Sequence, residues 1–412
     1  MIRRPPRSTL SSSSAASDVY KRQDLSNAVL QANNINGVIE YTSKKDLPTP
    51  IDSSALGRIY FIPARADYPA DGSFDSQGIS GGDASGAFYY AKQISNADSG
   101  YSRITTTTDD RTAPPYSFQG SNHGYITGGQ STNVYQNTIQ RFSFTSDANA
   151  TDVGDLTIAR ERGAGQSSKV SGYTSGGYGP SSNNNRIDKF PFAADGNATD
   201  VGDLTGTLRE HAGQSSENHG YTTGGHDGSP HPGEINDIQK FSFASDGNAT
   251  DVGDRTITGQ AHTGQNSSIS GYSSAGSSGN PPVNTNVIDK FPFATDENAT
   301  DVGDLFETVL LPAGQSSSTH GYVSGGGTVS NDRETIQKFS FSSDENATDV
   351  GDLLSDIFYL CGQSSTVSGY VSGGIPSPSS NVIQKFPFST DANSTDVGDL
   401  TQSRYGGMGQ QV

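Results

Sequence analysis

The 412-residue sequence predicts an all-β fold built on a tandem repeat, and three observations lead there. The segment DANATDVGDL, starting at Asp147, returns from Asp195, Asp246, Asp296, Asp344 and Asp391 almost letter for letter, at intervals of 47 to 51 residues. A period near 50 is the mark of a fold assembled from like units. Each copy follows an aromatic I-x-K/R-F-P/S-F and precedes G-Q-x-S and then G-Y-x-x-G-G, so short strands alternate with tight turns. Finally, a hydrophobic content of 31% with 50 glycines would favour disorder, yet Phe, Tyr, Ile and Val fall at fixed places in the repeat.

Residues 1–23 match nothing later and resemble translated sequencing-adapter read-through; we expect them to be non-native and outside the fold. They hold five basic residues and one acidic one, so of the formal −18 the rest carries −22. Residues 24–108 differ from the repeats. Runs at 58–62, 88–91 and 101–105 read as three strands between Gly/Ser/Asp turns, and the region resembles a small β module found near the start of phage structural proteins. The repeats fill residues 109–412.

In the second unit, residues 160–168, 172–177, 187–192 and 199–204 read as four strands. A double glycine closes the second and an aromatic stretch forms the third. The unit thereby resembles the kelch family, whose repeats are four-stranded blades of a β-propeller. The tryptophan that family carries in the fourth strand is absent; Val153, Val201, Val252, Val302, Val350 and Val397 stand in its place. Independently, Ile187 and Phe190 lie three apart on a strand and leave on opposite faces, which needs a sheet covered on both sides, as stacked blades are. Phe190, Phe192 and Val201 are the expected core. Pro191, Pro292 and Pro387 lack a donor and belong at a strand end.

Units one, three and five carry His123, His219 and His320 where two, four and six carry Ser171, Ser270 and Ser368, and Ser143, Ser242 and Ser340 alternate with the prolines. This pairing suits a ring of six. Yet residues 116–122 read as a first strand for unit one, which leaves residues 404–412 as a surplus strand. The expectation is therefore six clear four-stranded blades plus a degenerate seventh, made of the 24–108 region and closed by the C-terminal strand.

In such blades the links from second to third strand, and from fourth strand to the next blade, share one face. Their content varies, although the latter links stay eight residues long. Variable loops on a rigid frame are where recognition sits, so Tyr135, Tyr178, Arg186, His226, His231, Arg333 and Tyr405 are the candidate ligand-binding residues. The other face repeats D-x-N-x-T-D-x-G-D, which resembles integrin-type calcium loops at its first, third and ninth positions. That resemblance implies Asp147, Asn149, Asp155, Asp195, Asn197 and Asp203 as calcium ligands, against the plainer reading of an Asx turn.

A charge of −18 disfavours nucleic acid and anionic membranes as partners, and no apolar run reaches the ~20 residues of a membrane helix. Cys361, the single cysteine, stands where other units have Ala or Thr and reads as core. No acid/base pair is singled out, since the Asp sets are alike. The expected function is a non-enzymatic propeller needing no cofactor beyond that calcium. It displays loops to a host-surface glycan or protein, or to other virion proteins, as a virion or extracellular component of phage-structural type. The rival is a bacterial surface or secreted carbohydrate-binding propeller.

Overall fold

The computed structural model describes strands at 38–40, 59–62, 87–95 and 98–104, and residues 118–412 except 229–232, 280, 329–330 and 376–379. Two compact units result, residues 1–115 and 116–412. In the first, Val38–Glu40 runs parallel to Ile59–Ile62, and Ala87–Ser95 and Asp98–Ile104 continue the sheet antiparallel. Three of these strands match the expected runs; Val38–Glu40 was not expected. Residues 1–23 lie outside the described set.

The second unit is a six-bladed β-propeller. Blade 2 is an antiparallel meander of Ala164–Ser167, Ser171–Ser175, Asn184–Pro191 and Thr199–Leu208. Blades 3 to 6 repeat it, with first strands Ala212–Ser215, Thr263–Asn266, Ala313–Ser316 and Cys361–Ser364. The expected strand order holds, and the three prolines end their third strands.

Blade 1 corrects the expected seventh blade. Its innermost strand is the C-terminal Met408–Gln411, paired antiparallel with His123–Thr127, which is followed by Thr138–Ser143 and Thr151–Asp155. The surplus strand is thus blade 1's missing first strand, and the ring closes at six. Residues 118–122, the described part of the run expected there, are not that strand; Gly120 instead bridges Ser365 of blade 6. The reason lies in the G-Q motif. The amide of Gln410 is buried and donates to the Tyr173 carbonyl of the following blade at 2.9 Å. Gln166, Gln214, Gln265, Gln315 and Gln363 make the same bond to Tyr221, Tyr272, Tyr322, Tyr370 and Tyr125. Residues 116–122 contain no G-Q and cannot supply it.

The glycine of that motif lines the ring's axis. A Cβ on Gly165, Gly213, Gly264, Gly314, Gly362 or Gly409 would meet the carbonyl oxygen of the preceding blade's glycine at 2.1–2.4 Å, so backbone packs on backbone all the way round. Between blades sits the core: Tyr125 against Phe190 at 5.5 Å, Tyr173 against Phe241 at 5.6 Å, and so on round the circle. Ile187 and Phe190 are fully buried on opposite faces. Phe192 and Val201 pack on these clusters but stay half-buried, at the outer end where the blades diverge.

A candidate ligand-binding face

Each eight-residue link between blades uses its positions in the same way. The fourth is buried: Arg160, Leu208, Val309, Ile357 and Arg404. The fifth pairs with its own blade's second-to-third loop, as Glu161 with Tyr178 and Arg209 with His226, which confirms that both kinds of link share one face. The sixth is left-handed, with φ of 56° to 62° at Arg162, Glu210, Ala261, Leu311, Tyr359 and Gly406. Each of these six donates its N–H to the carbonyl of the one before, at 2.7–3.0 Å, in a closed circle. A residue more or fewer would break it, hence the constant length.

That circle frames a vestibule of about 70 Å³ leading to an axial cavity of about 130 Å³, and both are walled by His211, His262 and Leu360. Five of the six framing side chains differ in chemistry, and Gly406 contributes none. Arg162 lies 4.6 Å over the Tyr359 ring, its Nη1 2.7 Å from Glu210 and its Nε 3.2 Å from Glu161. Burial works against its charge, but Tyr359, Glu210 and Glu161 together raise its pKa. Burial pushes the Tyr359 hydroxyl up to about 12 and raises the carboxyl of Glu161 against the pull of Arg162. His211 and His262 give ring Nε2 contacts to the carbonyls of Ser175 and Thr223, and burial holds both imidazoles neutral.

The predicted ligand residues separate into two groups. Tyr135 and Tyr178 meet edge to face at 6.0 Å, Tyr405 stands 5.8 Å from Tyr359, and Arg209 covers Tyr178 at 5.5 Å. Tyr405 also donates its hydroxyl to Gln130. These rings, on blades 6, 1 and 2, form one sector with Arg209 of blade 3 at its edge. Arg186 is engaged with Asp200 at 3.3 Å and Arg333 with Glu307 at 2.8 Å, both outside it. His226 is buried, its Nδ1 accepting from the Gly228 N–H. His231 lies outside the described residues. Sequence reasoning missed Glu161, Arg162, Arg209, Glu210 and Tyr359. The fixed link length was the available signal.

The calcium-like loops turn out to be clasps between blades. Asp147 binds Lys385 of blade 6 at 2.7 Å, and Asn149 accepts the Asp399 N–H of the same blade at 3.0 Å. Asp155 faces the other neighbour, with its N–H on Asn197 and its carbonyl on Ala198 N–H. Asp195, Asn197 and Asp203 repeat this scheme with Arg141, the Asp155 N–H and Asn248. First and third positions therefore hold one neighbouring blade with their side chains, while the ninth holds the other through its backbone. Asp152 closes the Asx turn onto Gly154 N–H. Among the described residues no three His, Cys, Asp or Glu converge as metal ligands.

No protein-family model and no curated protein matches the chain. Among solved structures, "Structure of YjhT" aligns over 61% of this chain and 88% of that one, with a TM-score of 0.53 and 13% identity. The likeness is one of fold: a β-propeller.

Proposed function

We propose that the protein is a non-enzymatic propeller that binds a host-surface glycan or protein on its variable face, as a virion-associated or extracellular recognition component. One observation carries the reading: Tyr135, Tyr178, Tyr359 and Tyr405, drawn from four separate loops, gather with Arg162 and Arg209 beside the vestibule. Tyr and Arg anchor interfaces, and sugar rings stack on aromatic faces. The vestibule, about 70 Å³, is far below the ~300–1,000 Å³ of sites that engulf a small molecule, which favours surface recognition over turnover. Burial of Cys361 pushes its thiol up to about 12, far from a nucleophile's range. The acidic balance speaks against nucleic acid and anionic membranes.

The test is adsorption of the purified protein to bacterial cells and to immobilised neutral glycans, with Tyr178→Ala and Tyr405→Ala variants. A loss of about tenfold or more, with the melting temperature kept, supports the reading. Unchanged adsorption in both variants moves binding elsewhere and leaves the propeller a structural spacer.

A further inference from the structure

The opposite face carries a threefold pattern that the six equal blades do not require. In blades 2, 4 and 6 the turn from first to second strand presents Val170, Ile269 and Val367, which are 68, 72 and 66% exposed. Each accepts a backbone bond from the residue that follows the third-strand proline: Phe192 after Pro191, Phe293 after Pro292, Phe388 after Pro387. Aliphatic side chain and proline thus form an apolar corner. Blades 1, 3 and 5 put exposed Asn122, Asn218 and Thr319 at the same turn, and pair His with Ser where the others pair Ser with Pro.

The turn itself does not ask for an aliphatic residue. In blade 2 the Ser168 hydroxyl accepts the N–H groups of Val170 and Ser171; in blade 5 Ser317 does the same for Thr319 and His320. An identical turn is built with Thr at its tip. Three exposed aliphatics, a third of a turn apart on a closed ring, are therefore surplus to the fold. Their surroundings are acidic on balance: in each clasp loop the first Asp, such as Asp147, is offset by a Lys or Arg, but two more follow, Asp152 and Asp155 in blade 1. Two copies of such a face repel each other.

We propose that this face docks, along the ring axis, on a homotrimeric protein with a basic contact surface and one apolar contact per subunit. A trimer's axis matches three equivalent corners and no other small cyclic symmetry uses all three alike. Charge complementarity sets the orientation, and burial of the corners supplies the hold. The variable face is left free.

The photo-crosslinker p-benzoylphenylalanine, placed at position 170, 269 or 367 of the full chain, is irradiated in the particle or cell envelope that holds the protein. Expected is the same peptide of one protein from all three positions, native masses showing that protein to be a trimer, and a different peptide from position 218. Three unrelated peptides, a monomeric or dimeric target, a second copy of this chain, or no adduct overturns the proposal. The variant Val170→Asp/Ile269→Asp/Val367→Asp alters only exposed side chains and should keep its melting temperature while its retention falls about tenfold or more. Undiminished retention overturns the proposal as well.

Discussion

Gly409 and Gly362 stand so close across the first and sixth blades that a Cβ on Gly409 would lie 2.1 Å from the Gly362 carbonyl oxygen. The C-terminal strand is therefore held by contact as well as by its ladder with His123–Thr127. Gly409→Ala forces that seam apart and should cost about 1–3 kcal/mol, the usual range for overpacking. Gly196→Ala is the control. Its Cβ would meet nothing within 4 Å, so it should be neutral or stabilise by up to about 1 kcal/mol. Denaturant titration of the two variants reads the difference; equal effects would refute the tight seam.

Phe190 is 2% exposed and packs on Tyr125 of blade 1 and on Phe192. Phe190→Ala should lower unfolding free energy by about 3–5 kcal/mol. Near-wild-type stability would contradict the inter-blade core.

Blade 4 holds a buried pair, Arg255 and Asp289, with both side chains at most 1% exposed and 3.2 Å apart. The guanidinium fills the space beside Gly259, and burial lowers its pKa. Blade 3 has Leu204, Leu208 and Gln239 in these three places. Arg255→Leu or Asp289→Gln alone strands a buried charge and should cost about 3–5 kcal/mol. The triple variant Arg255→Leu/Gly259→Leu/Asp289→Gln copies blade 3 and should match or exceed the wild type. Additive losses on thermal melting would show the pair to be irreplaceable.

The clasp geometry sets an expectation for calcium. Because the side chains of Asp147 and Asn149 are already engaged by blade 6, chelator and millimolar calcium should give the same melting temperature. A calcium-dependent rise would show ligand-linked stabilisation and revive the metal reading.

Acid sensitivity follows from the buried imidazoles. Burial lowers the pKa of His211 from 6.5 to about 4, so the unfolded chain binds the proton more tightly. Its contribution is complete above pH 6.5, falls as the pH drops, and is gone below about 4. That lowering corresponds to roughly 3 kcal/mol. His211→Leu, which copies Leu360 of blade 6, should flatten the stability profile between pH 7 and 4. An unchanged slope would remove His211 as its source.

Much of the fold was legible because strands whose residues must fit both neighbours repeat their letters: F-P/S-F, G-Y and G-Q each mark one inter-blade contact. Closure was misread because the aromatic run at 116–122 outweighed the absence of G-Q, and that absence was decisive. The variable face was legible from its loops, but the place where its aromatic rings gather was not. Tyr359, Tyr405 and Arg162 meet only because blade 6 returns beside blade 1, because Gly406 between Tyr359 and Arg162 carries no side chain, and because left-handed turns aim the sixth link residue inward. Neither circular order nor backbone handedness is written in local composition. Likewise the Asp and Asn of the clasps looked like ligands of one ion, since spacing along the chain does not say which neighbour each side chain faces.

The placement of Met408–Gln411 in blade 1 bears on synthesis. On the ribosome, five blades can assemble as they emerge, yet the first waits with its inner edge bare until residues 408–411 have been made, nearly 300 residues after its second strand. Until then His123–Thr127 presents an open ladder to whatever strand arrives next. One late peptide thus decides between a finished ring and a sticky arc.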